Sequence, residues 1–267
     1  MIKQHNFFTC WLILALFGLV ACNPSQPQVN ETSNSPETKT EQEQTSTRPV
    51  STRTASCTLV ENGFGSQGQV RVRVEEVVRG LDVPWGIAFL PNRDMLVSER
   101  SGRVRLVQNG KLRPETVATI NVSDRGEGGL LGIATHPDFA TNRFFYVYFT
   151  ASQNPSSVNR VERWRLSSDG LRATRDRTIV DNIPVAQFHN GGRIRFGPDG
   201  MLYIGTGDAR NPDLSQDVKS LAGKILRVTP DGQVPSDNPF PGNPVYITGI
   251  RNTQGFDWVN SSSFWIS

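Results

Sequence analysis

The sequence of 267 residues carries 28 basic and 25 acidic side chains, a net charge of +3. So near a balance gives no case for nucleic-acid binding. With only three cysteines, at positions 10, 22 and 57, the chain has no disulfide-rich framework.

Residues Met1–Gln4 include Lys3, and an uncharged apolar run follows from Phe7 to Ala21. Its length suits a signal-peptide core and falls short of the about 20 residues of a spanning helix. The run closes on Leu19-Val20-Ala21-Cys22, which resembles a bacterial lipobox, where the cysteine is acylated and becomes the mature N-terminus. An ordinary secretory signal with an incidental Cys22 is the alternative. Residues 1–21 are therefore expected to be a signal peptide, and losing them removes Lys3 alone, leaving a charge of +2. Residues 22–56 are rich in Ser, Thr, Pro, Gln and Glu. Such a stretch buries too little apolar surface to offset its ordering entropy, so a disordered linker tethered through the lipid on Cys22 is expected. More than one acyl chain would be needed for firm anchoring. This anchor is the one membrane attachment expected, and it places the protein in a bacterial envelope as an exported chain. Cys57 opens the folded part, 57–267. Once Cys10 leaves with the signal and Cys22 is acylated, it is either a buried thiol or paired beyond this sequence.

From Gln69 the chain alternates: Val70, Val72 and Val74 against Gln69, Arg71 and Arg73, a half-buried strand. A theme then recurs, beginning at residues 84, 129, 191 and 249. Glycine or a Pro-Trp-Gly leads into an apolar strand, then proline with Asn or Asp, a turn, and a second strand. The prolines fall at 91, 137 and 198, spacings of 46 and 61 residues that suit propeller blades of about 40–45 residues with loop insertions. Asp169-Gly170, Asp199-Gly200 and Asp231-Gly232 mark hairpins, because glycine accepts the positive φ such turns need. No segment carries an apolar stripe of helical period. The expected fold is all-β and built of repeating blades. Residues 57–267 suffice for about three and a half blades, and the fourth stops in the strand Ser263–Ser267. A propeller needs a closed ring to remove its sheet edges. The chain thus reads as C-terminally cut short, marginally folded and inactive alone, with Val70–Val78 as the strand that would close the ring against a last blade.

Several segments in one order carry a family likeness: LDVPWGIAFLP with SERSGRV, GEGGLLGIATHPDF, HNGGRIRFGPDG with TGD, LAGKILRVTPDG, and GIRNTQGF. Residues 76–267 resemble the soluble quinoprotein sugar dehydrogenases, the glucose/sorbosone dehydrogenase family. The resemblance implies a six-bladed β-propeller that oxidises an aldose at C1 to the lactone, with pyrroloquinoline quinone and calcium as cofactors. It leaves the electron acceptor unidentified. Relatives continue with a segment like E-H-G-P in the calcium- and cofactor-binding region, so calcium ligands are expected beyond residue 267 and no metal ligand within the chain.

Carried over residue by residue, the resemblance makes His189 of the H-N-x-G-R motif the catalytic base. An imidazole neutral near pH 7 can accept the anomeric hydroxyl proton without first losing one. Gly191 and Gly192 are expected to leave space so that backbone and a flat cofactor can approach closely. Glu127 stands where relatives place Gln near the sugar hydroxyls, and it can accept but not donate when ionised. Phe188 replaces an Asp beside the base, which makes glucose itself a doubtful substrate. Arg251 and Asn252 match the Arg-Asn pair that lies against the quinone, whose carboxylates suit a planar fork of donors. Thr253 replaces a Pro, expected to be a harmless loop change. Read from residue chemistry alone, His136 orders a turn, Asp208 fixes a loop through backbone amides or contacts a metal, and the loop Ala209–Gln216 covers the site. The competing reading is a non-enzymatic propeller that binds a protein partner at the cell surface. A lactonase-type propeller lacks the acidic metal-ligand cluster it would need.

Overall fold

The computed structural model describes residues 53–58, 69–152 and 156–267. The signal run, Cys22 and most of the linker lie outside the described residues. Among the described residues no helix is long and apolar enough to cross a membrane. Strand β1 (Arg53–Thr58) pairs antiparallel with β2 (Gln69–Val74). Among the described residues, strand is thus present from Arg53, ahead of the Cys57 boundary expected from composition. The stretch expected to close a ring thus pairs instead with a near neighbour, and the shorter loop costs less closure entropy.

From Pro84 the chain lays down three four-stranded antiparallel sheets. The first holds β3 (Pro84–Phe89), β4 (Met95–Glu99), β5 (Arg103–Gln108) and β6 (Lys111–Thr119). The second holds β7 (Leu130–Thr135), β8 (Phe144–Ala151), β9 (Val158–Leu166) and β10 (Ala173–Ile183). The third holds β11 (Ile194–Phe196), β12 (Leu202–Gly205), β13 (Ile225–Val228) and β14 (Val245–Ile247). A hairpin of β15 (Phe256–Asn260) and β16 (Ser263–Ile266) follows. Each larger sheet runs strictly in chain order, the meander that forms a propeller blade. The recurring theme falls at the start of each sheet after the first pair. Helix is confined to α1 (Phe139–Asn142) and α2 (Pro212–Gln216) among the described residues.

Two of the three Asp-Gly turns join neighbouring strands, β9 to β10 and β11 to β12. The third turns the chain, with Thr229 N–H bonded to Gln233 O at 2.8 Å, but β14 pairs with β13 only from Val245. There an insertion separates turn from strand.

The core lies between successive sheets. In β8 the side chains alternate strictly, as successive residues of a strand must. Phe145, Val147 and Phe149 join Leu96, Leu106 and Leu130 on one side. Tyr146 and Tyr148 join Leu131, Ile194, Leu202, Ile204 and Leu226 on the other. A strand apolar on both faces is what a blade sandwiched between two others requires. Full burial of each such side chain is worth about 1.5–3 kcal/mol. The last hairpin docks through Phe256, Trp258 and Phe264 on Tyr203, with Trp258 and Phe264 stacked at 4.7 Å.

His136 orders the β7–β8 turn, as expected: its Nδ1 lies 2.9 Å from both the Asp138 N–H and the Asn142 side-chain amide. Its ring sits among Phe144, Tyr146 and Phe196. Burial there pushes its pKa below the usual imidazole value, the nearby Asp138 opposing and Arg163 assisting. The folded state then binds fewer protons than the unfolded chain once pH falls through the unfolded value of about 6.5. Stability should therefore decline on acidification through that window, and His136→Asn should flatten the decline. Urea midpoints at pH 7 and pH 5 for both proteins check this; parallel losses would contradict it.

Candidate active site

In an up-and-down sheet the second-to-third strand loop and the link to the next sheet emerge at the same end. The β6–β7 link carries Glu127, the β10–β11 link His189, the β12–β13 loop Asp208, and the β14–β15 link Arg251 and Asn252. All line one cleft of about 740 Å³. The four residues singled out from the sequence are thus brought together, and Asp208 joins them.

His189 holds a left-handed backbone, φ 63°. Its N–H donates to Glu127 Oε2 at 2.8 Å, so Glu127 holds the His189 backbone rather than only facing a ligand. The imidazole Nδ1 lies 2.8 Å from Asp208 Oδ1. An ionised carboxylate can only accept, so Nδ1 carries the hydrogen, and in a neutral imidazole Nε2 is then the nitrogen with a free lone pair. Asp208 is 5% exposed and His189 18%, which shields the pair from water without closing it. The same Oδ1 accepts the Arg210 N–H at 2.8 Å, so Asp208 does fix its loop, as expected, while also orienting the imidazole.

The backbone behind this pair is crowded. A β-carbon on Gly207 would run into the carbonyl of His189, and one on Gly191 would meet Thr206. Gly192 likewise faces Leu131 and Trp85. Gly191 and Gly192 let backbone approach closely, as expected. Asn252 is part of this packing, its Oδ1 accepting the Gly191 N–H at 2.8 Å. Below the loop, Tyr148 Oη donates to Asn190 O at 2.7 Å, and burial holds the phenol well above its usual pKa, keeping it a donor.

Arg251 is exposed on the cleft wall, and its carbonyl accepts the Asp208 N–H at 2.8 Å. Among the described residues its guanidinium has no hydrogen bond or ion pair. Phe188, 40% exposed, lines the cleft beside His189. Lys224 carries no signal in the sequence. It is fully buried, and its Nζ donates to Leu214 O and Ala222 O at 2.6 Å each, tying α2 to the start of β13. Burial pushes the ammonium below its usual pKa. Thr253 is also fully buried and its hydroxyl has no partner, so it is a core position rather than a neutral loop change.

A family model described as glucose / sorbosone dehydrogenase matches residues 81–267. The chain belongs to that family. Aldose sugar dehydrogenase YliI of Escherichia coli is 36% identical over 203 residues, covering 71% of this chain and 55% of that protein. Quinoprotein glucose dehydrogenase B of Acinetobacter calcoaceticus is 30% identical over 215 residues, covering 67% and 44%. The structure of the PQQ-bound form of an aldose sugar dehydrogenase from Streptomyces coelicolor superposes with a TM-score of 0.67 at 45% identity, over 72% of this chain and 57% of that one. The chain spans about half the length of the curated relatives it matches.

Proposed function

We propose that the protein is a sugar dehydrogenase that oxidises an aldose at C1 to the lactone with bound pyrroloquinoline quinone. The observation that carries this is the His189–Asp208 pair, whose free Nε2 opens on a cleft that also presents an unpaired guanidinium. When bound, the quinone supplies the hydride acceptor, a chemistry no side chain offers. The cleft fits it: Arg251 has a planar fork of free donors for a carboxylate, and Asn252 lines the same cleft. His189 Nε2 takes the anomeric hydroxyl proton, and Asp208 stabilises the imidazolium that results. Glu127 and the Tyr148–Asn190 bond hold the loop that carries the base. A scaffold for gripping proteins would need no oriented imidazole, which favours the enzyme over that alternative.

The same reading includes a six-bladed ring, calcium bound by residues not assigned in this chain, a signal peptide at 1–21, and envelope anchoring through Cys22 and the 22–56 linker. The test is to produce the chain at the full length of its relatives, load it with quinone and calcium and follow dye reduction. Aldose-dependent reduction is expected; failure to bind quinone would favour the binding scaffold.

Asp208→Asn should be costly in a specific way. An amide can donate to Nδ1 and trap the hydrogen on Nε2, so kcat should fall about 10²-fold or more. The acid limb of the kcat–pH profile should shift as well. A loss of kcat without any change in the profile would mean that Asp208 only holds the loop.

A further inference from the structure

The two carboxylates of the cleft are engaged, whereas its two guanidiniums are not. Glu127 accepts the His189 N–H, and Asp208 accepts both the imidazole and the Arg210 N–H. Arg210 and Arg251 both line the cleft, and among the described residues neither guanidinium has a hydrogen bond or an ion pair. Arg251 is the group suited to the quinone, on the wall it shares with Asn252. Arg210 is left without a role.

Its placement is built, not incidental. Ala209 and Arg210 are consecutive left-handed residues, φ 52° and 62°, in a region that side-chain-bearing residues seldom occupy. The turn is held by the Ala209 N–H to His189 O, 3.2 Å, and the Arg210 N–H to Asp208 Oδ1. The base and its carboxylate partner therefore fix the residue. The turn sets the guanidinium over the Phe188 ring, 5.8 Å from its centroid, and Phe188 precedes the base in the chain. Arg210 thus stands at the end of the cleft where Phe188 and His189 meet a ligand. A guanidinium laid on an aromatic face keeps its donors directed and pairs best with a carboxylate or phosphate. A neutral polyol gains little from a full positive charge.

We infer that Arg210 determines specificity, and that the aldose taken by this site carries an anionic group, a carboxylate or a phosphate, away from C1. This rests on the sugar-dehydrogenase reading of the cleft. The test compares glucose, glucuronate and glucose 6-phosphate as substrates of the quinone-loaded protein, at low and high salt, in the parent, Arg210→Gln and Arg210→Lys. Alongside it, ligand-observed NMR measures binding of the same three sugars to the protein without quinone. At least one anionic sugar should exceed glucose in kcat/KM. The anionic-to-neutral ratio should drop about tenfold in Arg210→Gln, recover in part in Arg210→Lys, and shrink as salt screens the exposed charge. Which anionic sugar leads tells carboxylate from phosphate. A ratio of one or less, or one unmoved by Arg210→Gln, overturns the inference. If no sugar is oxidised, the dehydrogenase reading fails, and the binding data still decide: selective, Arg210-dependent binding of an anionic sugar upholds the role of Arg210, and its absence ends it.

Discussion

His189→Asn is expected to lower kcat by about 10²-fold or more while the quinone still binds. Asparagine is chosen because it tolerates the left-handed backbone that His189 adopts, φ 63°, better than most residues do. The N–H to Glu127 Oε2 can persist, so the loop should keep its shape. What is lost is the imidazole that faces the cleft, and that loss falls on the transition state rather than on cofactor affinity. A quinone titration followed by absorbance separates the two effects. Turnover within a few-fold of the parent would make His189 structural.

Gly207→Ala should have the largest effect on stability near the site. The added methyl would meet the carbonyl of His189, a backbone atom with no flexible end to swing away. The loop must then move, at about 3 kcal/mol. For a domain of this size, that corresponds to a fall in Tm of about 6–12 °C. Because the displaced atom belongs to His189, turnover should fall further than the loss of folded protein explains. An unchanged melting curve would mean that the loop yields easily and that the geometry of the base is not fixed by this contact.

The sheets are legible in sequence because each begins with the same pattern: glycine, an apolar strand, proline and a turn. The double-sided apolarity of Phe144–Thr150 already marks a strand packed on both faces. His189, Glu127, Arg251 and Asn252 are legible through family motifs, and they do meet in one cleft. The Asp208 partnership is not, since the two residues stand 19 positions apart on either side of the β11–β12 hairpin, and no local pattern records which loop ends meet. Gly191 and Gly192 signal close approach in the sequence, and the fold supplies what approaches: Thr206 at one, Leu131 and Trp85 at the other. The β1 strand hides in RTASCT, whose polar composition reads as linker. Lys224 and Arg210 look like ordinary surface cations in sequence. Only the fold shows one sealed against backbone carbonyls and the other turned over Phe188.

In the proposed reaction, hydride leaves C1 of an aldose for the quinone while His189 takes the anomeric hydroxyl proton. Single-turnover mixing of the quinone-loaded protein with an aldose, normal or deuterated at C1, tests it most directly through the quinone absorbance. The account predicts reduction of the quinone in one phase, slowed by a primary isotope effect and slowed again by at least about 10²-fold in His189→Asn. A quinone that binds in the cleft yet stays oxidised with every aldose offered would contradict it.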